Sequence, residues 1–520
     1  MTSDSPLIWT DDGQPRSALY GDVYFSAEDG LAETRTVFLQ GCGLPEAWAG
    51  RRNFTVGELG FGSGLNILAL LDLWRRTSPP EARLHVFSIE AHPITAAEAA
   101  RALAHWPELA DLTALLVARW PGRARGVHRI DLPELRATLD LSVMEVESAL
   151  EGWSGLADAW FLDGFSPALN PAMWRDEVLS LVARRSAPGA RAATFTVAGA
   201  VRRGLQAAGF EIEKRPGHGR KRERLEARLA PATAPEPPMP RVAVIGAGIA
   251  GASAARALRA LGCEPMVLEV EAPGAGASGN PAALVTLRLD AGLGPLAALF
   301  AQGLARARQL YEAIPDAVIA EGVLQLATEP RDPDRFPRIA ASDLFEPGAL
   351  AMVDADAVSA RVGERSPAAL AMTQAQVVAP DAILSAWIGS IRRAAVARLE
   401  HGPAGWSLLD AAGSVIALAD AVILAAGQAC ANLWPEPVLR PVRGQASWAR
   451  GATPPPALAW GGYAIPTRDG LLFGATHDRD DVGADLRPSD HTRNLATLAA
   501  ALPALAGRLA EAELEGRASV

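Results

Sequence analysis

A chain of 520 residues exceeds what one hydrophobic core usually organises and predicts two or more domains, while 49% apolar and 21% charged residues exclude a largely disordered protein. A net charge of −10 argues against a generic polyanion binder, so any nucleic-acid contact must rest on a local basic patch. Cys42, Cys263 and Cys430 form no metal-ligand or redox spacing, the amino terminus lacks a signal-peptide pattern, and no apolar run reaches the ~18 residues of a membrane helix. A cytoplasmic protein with neither a metal site nor membrane attachment is expected.

The first elements to carry chemistry lie in "NFTVGELGFGSGLNILALLDLWRR", residues 53–76, which reads as a strand, a glycine turn and an apolar helix. Gly60, Gly62 and Gly64 alternate, and glycines so spaced let the backbone pass close to a ligand that any Cβ would obstruct. The GxGxG spacing lacks the tail of a dinucleotide fingerprint. Glu58, ending the strand, would repel a pyrophosphate but suits the cationic amino-acid end of S-adenosylmethionine (SAM). A second strand, "RLHVFSIEAHP", delivers Glu90, whose carboxylate can accept from both ribose hydroxyls. Together these favour a class I methyltransferase over a merely tight turn.

"DAWFLDGFSP" then presents Asp163 at a third strand end. A carboxylate there can take the proton of an attacking amine or simply cap the following turn. Strands alternating with helices predict a parallel sheet covered on both faces, with ligands beyond the strands' carboxyl ends. Further on, "EKRPGHGRKRERLEAR" (residues 213–228) is a basic run that reads either as a solvated face or as a polyanion contact.

"APATAPEPPMP", residues 230–240, is a semi-rigid linker, which places one domain at residues 1–229 and another at 241–520. The second opens on "RVAVIGAGIAGASAARALRALGCEPMVLEVE", where Gly246, Gly248 and Gly251 have the GxGxxG spacing between a strand and a helix, and Glu269 ends the next strand. That is the full dinucleotide fingerprint. "PGAGASGNPAALVTLRL" (273–289), with Ser278 and Asn280, points to FAD rather than NAD, and "ADAVILAAGQACANL" (419–433) supplies a closing strand and the turn at Gly427. Residues 241–289 and 395–433 are expected to hold the dinucleotide, and residues 290–394 and 434–485 to form an inserted α+β substrate domain.

"GDVYFSAEDGLAETRTVFLQG" (21–41), "ELGFGSGLN", "FLDGFSPALNPAMW" (161–174) and "TFTVAGAVRRGLQAAGFEIEKRPGHGRKRERL" (194–225) resemble the methyltransferase half of the bifunctional tRNA 5-methylaminomethyl-2-thiouridine biosynthesis proteins. The second half, most specifically "GASGNPAALV", resembles the oxidoreductase half of the same family, related to glycine and D-amino-acid oxidases. The fold class implied is α/β: an N-terminal class I methyltransferase Rossmann-like domain and a C-terminal FAD-binding Rossmann domain with the inserted substrate domain. The resemblance implies that FAD-dependent oxidation removes the carboxymethyl group from 5-carboxymethylaminomethyl-(2-thio)uridine at the tRNA wobble position. The exposed aminomethyl group is then methylated from SAM.

By position, Glu58, Gly60, Gly62, Gly64, Asn66, Glu90, Glu145 and Asp163 would hold SAM, with Asp163 catalytic at the amine. Met144 and Glu145, in "LSVMEVESAL", stand where the family tends to carry Gly-Asp. Gly246, Gly248, Gly251, Glu269, Ser278, Asn280 and Gly427 would hold FAD, and no catalytic residue is assigned in that half. A tRNA substrate gives the basic residues Arg202, Arg203, Lys214, Arg215, Arg220, Lys221 and Arg222 a role as phosphate contacts. No obligate protein partner is expected. The chain stops at "AEAELEGRASV" where the family continues, which predicts an unpaired strand edge and an open flavin site. Two rival readings remain: a small-molecule amine oxidase fused to an N-methyltransferase, and a methyltransferase whose second half is a redox-inactive tRNA-docking module.

Overall fold

The computed structural model describes residues 6–11, 13–25, 29–219, 222–231, 238–436 and 439–520. It divides into two compact units, Met1–Pro237 and Pro238–Val520.

In the first unit a short ribbon pairs β1 (Leu7–Trp9) with β2 (Pro15–Ser17). The main sheet is built from β3 (Asn53–Leu59), β4 (Arg83–Ile89), β5 (Gly126–Leu132), β6 (Ala137–Val143), β7 (Ala157–Leu162), β8 (Ser186–Thr194), β9 (Glu211–Pro216) and β10 (Glu223–Arg228). Their order is β5-β6-β4-β3-β7-β8-β10-β9. The sheet is parallel only in its middle, from β6 through β4, β3 and β7 to β8. Antiparallel strands flank it: β5 on β6, and the hairpin β9–β10 on β8. The expectation of a parallel sheet therefore holds where helices connect the strands and fails at both edges, where short connections force reversal.

The carboxyl halves of β3, β4 and β7 are buried without alternation, as strands covered on both faces must be. One face packs Trp48, Phe54, Val56, Trp74 and Phe161. The other packs Leu59, Phe87, Trp160, Val178 and Val182. The helix Leu65–Thr77 enters directly from the glycine turn and is buried along most of its length, which makes the turn the rigid rim of the sheet.

The second unit has a four-stranded parallel sheet in the order Ile391–Arg393, Met266–Glu269, Val242–Ile245, Ala421–Leu424. A three-stranded antiparallel meander, Arg398–Gly402, Gly405–Leu409 and Val415–Ala419, shares a core with it through Ala243, Leu268 and Leu408. A larger mixed sheet of ten strands includes Val318–Leu326, Ala369–Val378 and Val442–Arg450. Two segments fall on the other side of the expected division. Ile391–Arg393 joins the nucleotide-type sheet, and Ala283–Val285 joins the large sheet. The last described strand, Glu515–Ser519, runs antiparallel along Gly444–Trp448. No helix among the described residues is long and apolar enough to cross a membrane.

The large sheet is tied to the helix Pro488–Ala501 by a buried polar cluster that sequence periodicity gave no hint of. Arg443, 0% exposed, donates to Asp490 Oδ2 at 2.6 Å, to Gln445 Oε1 at 3.1 Å and to the Asp485 carbonyl at 2.5 Å. Asn494 donates to the Gln445 carbonyl and to Ser447 Oγ, both at 2.9 Å. Removing one member of such a pair strands a charge away from water. Asp490→Ala should lower the unfolding free energy of this unit by about 3–5 kcal/mol in urea titrations, and the double variant Arg443→Met/Asp490→Leu by much less. Equal losses in the two variants would contradict the pair's role.

Candidate active sites of the two units

At the carboxyl ends of β3, β4 and β7 the first unit encloses a cavity of about 500 Å³, the size of a small-molecule site. The glycine turn forms its floor for steric reasons. Gly60 has φ +90°, and a Cβ there would lie 2.2 Å from the Asp163 carbonyl oxygen, so β3 and β7 can close together only around glycine. Gly62, at φ +52°, donates its N–H to Glu90 Oε2 at 3.1 Å. Glu90 Oε1 accepts from the His92 N–H at 2.9 Å. The two backbone donors orient the carboxylate and leave lone pairs on it, since a carboxylate has about four acceptor sites. Burial pushes the Glu90 pKa up, against the pull of those donors.

Asp163 sits at the end of β7, its backbone N–H bonded to the Leu59 carbonyl at 3.0 Å. Its Oδ2 accepts from Asn66 Nδ2 at 2.7 Å, and Thr34 Oγ1 donates to Asn66 Oδ1 at 2.8 Å. Gly60, Gly62, Asn66, Glu90, Glu145 and Asp163 all line the cavity, and so does Met144.

Gly64 and Glu58 are not in that wall. Gly64 instead caps the helix Leu65–Thr77 at φ +81°. Glu58 is 0% exposed because the register of β3 on β4 sets it opposite Ser88, whose hydroxyl donates to Glu58 Oε2 at 2.5 Å. Burial raises its pKa to about 8, so the carboxyl is largely neutral at pH 7. The picture of Glu58 as an anion facing a cationic ligand is thereby corrected: it lies outside the cavity wall, a buried support beneath the turn whose carboxyl is driven toward its neutral form by burial.

The rest of the wall comes from segments that carry no periodic signal. Tyr20, Asp22 and Tyr24 line the cavity from the amino-terminal segment, and Phe165 and Ser166 from the loop after β7. Asp22 Oδ2 accepts the Ser166 N–H at 2.9 Å, while the rings of Tyr20 and Tyr24 meet Phe165 at 5.2 and 5.5 Å between centroids. His218, from inside the basic run, reaches the same cavity. A methyl donor fits these residues: glycine backbone on one side, carboxylates for hydroxyl and amino groups, and aromatic walls that exclude water.

The basic residues divide. Lys214 pairs with Glu223 at 2.7 Å across the β9–β10 hairpin, and Arg215 pairs with Glu213 at 2.9 Å. Both pairs are solvent-exposed and individually weak, so they leave the cations available to phosphate. Arg202 and Arg203 lie on the helix Gly199–Ala207, with Arg203 exposed, and Arg222 is exposed just before β10. Arg220 and Lys221 lie outside the described residues.

In the second unit two of the three fingerprint glycines are forced by contact with backbone. A Cβ on Gly246 (φ +107°) would lie 2.4 Å from the Ala425 carbonyl oxygen, and one on Gly251 would lie 1.9 Å from the Gly246 carbonyl oxygen. Gly248 caps the helix Ile249–Ala260, whose Ile249 N–H donates to Ser278 Oγ at 2.9 Å. Glu269 takes the Ala247 N–H at 2.8 Å and the Glu271 N–H at 3.0 Å on separate oxygens. Asn280 closes the turn Ala277–Gly279, and Gly427 (φ +55°) opens the turn after Ala421–Leu424.

These residues fit a dinucleotide: a helix amino terminus clear of Cβ atoms, and an acid with acceptor capacity left for ribose. Arg517, on the strand Glu515–Ser519, donates to the carbonyls of Gly274 and Gly276 at 3.0 Å and also to that of Ala275. It ties the large sheet to the loop that carries Ser278 through residues 243 positions apart, a contact that follows no sequence pattern.

Residues 107–230 match the S-adenosyl-L-methionine-dependent methyltransferase family and residues 241–517 the FAD dependent oxidoreductase family. The tRNA 5-methylaminomethyl-2-thiouridine biosynthesis bifunctional protein MnmC of Caulobacter vibrioides is 65% identical over 520 residues, covering 100% of this chain and 87% of that protein. The MnmC protein of Caulobacter sp. strain K31 is 63% identical over 524 residues, covering 99% and 86% respectively. That of Maricaulis maris is 44% identical over 479 residues, covering 91% and 79%. With identity of this level running through both units, the chain belongs to the MnmC family of bifunctional tRNA-modification proteins, combining a SAM-dependent methyltransferase with an FAD-dependent oxidoreductase.

Proposed function

We propose that the two units act in sequence on the wobble uridine of tRNA. The FAD unit converts 5-carboxymethylaminomethyl-(2-thio)uridine to the 5-aminomethyl form, and the methyltransferase unit produces 5-methylaminomethyl-(2-thio)uridine. Bound FAD supplies hydride acceptance from the secondary amine, after which the imine is hydrolysed. Bound SAM supplies an electrophilic methyl group.

The protein's own part is to bind and orient. Glu90 receives the ribose hydroxyls, Glu145 receives the adenine amino group, and the aromatic wall around Phe165 keeps water from the methyl group. Asp163 accepts a hydrogen bond from the substrate amine and takes its proton as the C–N bond forms. The observation that carries this reading is the position of Asp163: a carboxylate in the cavity wall, at a strand end, held by a neutral amide. On the other side, Gly246, Gly248, Gly251, Glu269 and Ser278 hold the FAD pyrophosphate and ribose, with Asn280 and Gly427 beside them. We place the linker at residues 230–240, between units of residues 1–229 and 241–520. A cytoplasmic setting accords with a tRNA substrate.

The test is nucleoside mass analysis of tRNA from cells with and without the gene. Loss of the methylaminomethyl nucleoside with build-up of its carboxymethyl precursor is expected. Build-up of the bare aminomethyl form would leave only methylation to this protein, and an unchanged profile would overturn the reading.

Arg202, Arg203, Lys214, Arg215 and Arg222, together with Arg220 and Lys221, are proposed as phosphate contacts. Arg202→Glu/Arg203→Glu should weaken tRNA binding and flatten the slope of log affinity against log salt by about 1.5. Filter binding across a salt series measures both quantities. Unchanged values would remove the two arginines from the interface.

A further inference from the structure

We propose that Thr34 and Asn66 are positioning residues of the methyltransferase unit, which together fix the carboxylate plane of Asp163 for the incoming amine. The inference rests on the reading of Asp163 as the group that takes the amine's proton. Three separate elements meet here: the end of the short helix Gly30–Thr34, the first turn of the helix Leu65–Thr77, and the end of β7. Thr34 is 3% exposed and Asn66 6%, so neither can substitute bulk water for a lost partner.

The side-chain amide of Asn66, which also reaches the buried Glu58 carboxyl, has one orientation that serves both Thr34 and Asp163. The Thr34 hydroxyl donates into its oxygen at 2.8 Å, which leaves its nitrogen to donate to Asp163 Oδ2 at 2.7 Å. Turned over, the amide would set its own oxygen against the carboxylate across that gap, two acceptors with no proton between them. Thr34 thus selects the amide orientation, and the amide selects the carboxylate orientation. The donor is also neutral. An arginine or lysine in its place would hold Asp163 as an ion pair and weaken its affinity for a proton, whereas an amide orients the carboxylate without cancelling its charge.

The experiment uses the full chain, with single-turnover methyl transfer to tRNA bearing the aminomethyl nucleoside and SAM affinity measured by calorimetry. Thr34→Val keeps the shape and removes the donor. It should slow methyl transfer about tenfold while SAM affinity stays within about twofold. Thr34→Ser, which restores the hydroxyl, should recover most of the rate. Because both residues act through one path, Thr34→Val/Asn66→Ala should be no slower than Asn66→Ala alone.

Wild-type rate in Thr34→Val, no advantage of serine over valine, additive losses, or a loss of SAM affinity that accounts for the rate would each overturn the proposal. Asp163→Asn separates it from the reading beneath it. Loss of activity in Asp163→Asn beside a wild-type Thr34→Val sinks only the positioning role, whereas full activity in Asp163→Asn sinks both.

Discussion

Asp163→Asn should reduce methyl transfer by about 10²- to 10⁴-fold, the usual contribution of a positioned general base, while SAM still binds. Asparagine matches the carboxylate in size, and its oxygen can still meet the Asn66 amide, so the cavity keeps its shape. What is lost is the ability to take a proton from the amine as it becomes a cation on methylation. The FAD unit is untouched by the change, so tRNA from cells carrying only this variant should accumulate the aminomethyl nucleoside rather than its carboxymethyl precursor. Methyl transfer within a few-fold of wild type would show that the proton leaves by another route. Asp163 would then be a turn residue, the alternative that its position after β7 also allows.

Gly251→Ala should give a protein that carries no flavin yet still methylates tRNA already bearing the aminomethyl group. The added Cβ would stand 1.9 Å from the Gly246 carbonyl oxygen, and that oxygen is backbone that cannot swing aside. Relief requires the helix Ile249–Ala260 to move away from the turn after Val242–Ile245. Such a movement pulls apart the Ile249 N–H to Ser278 contact and the amide cradle meant for pyrophosphate. Flavin absorbance of the purified protein reads the outcome directly, and circular dichroism checks that the unit remains folded. Stoichiometric flavin in the variant would mean that the fingerprint turn does not hold the dinucleotide. A wild-type chain that stays colourless after reconstitution would instead favour a redox-inactive second half.

Both expectations rest on features visible in the linear chain, because glycine spacing between a strand and a helix is a local sequence pattern. The spacing of Gly60, Gly62 and Gly64 differs from that of Gly246, Gly248 and Gly251, and that difference, read with the acids at the strand ends, separated a methyl-donor turn from a dinucleotide turn. The contacts that force Gly60 and Gly246 nevertheless come from the distant residues Asp163 and Ala425. Glu90, Asp163 and Glu269 were equally accessible, since an acid at the end of an apolar strand lands at the ligand-binding rim of a parallel sheet. Glu58 misled because its place at the end of β3 suggested the ligand rim and said nothing of what packs against it. Only the register of β3 on β4 shows Ser88 opposite it and water excluded.

Composition and spacing by themselves determined that there are two nucleotide-type folds in this chain and which strand ends carry their acids. These are short-range consequences of backbone sterics and hydrophobic periodicity. The tertiary structure decided what surrounds those acids. The Tyr20–Tyr24 segment laid on Phe165, the Thr34–Asn66–Asp163 chain, the Arg443–Asp490 pair and the Arg517 contact to the Ser278 loop all join residues from distant parts of their unit. Such contacts exist only once the sheets have folded, because pairings between residues far apart in sequence follow no periodicity.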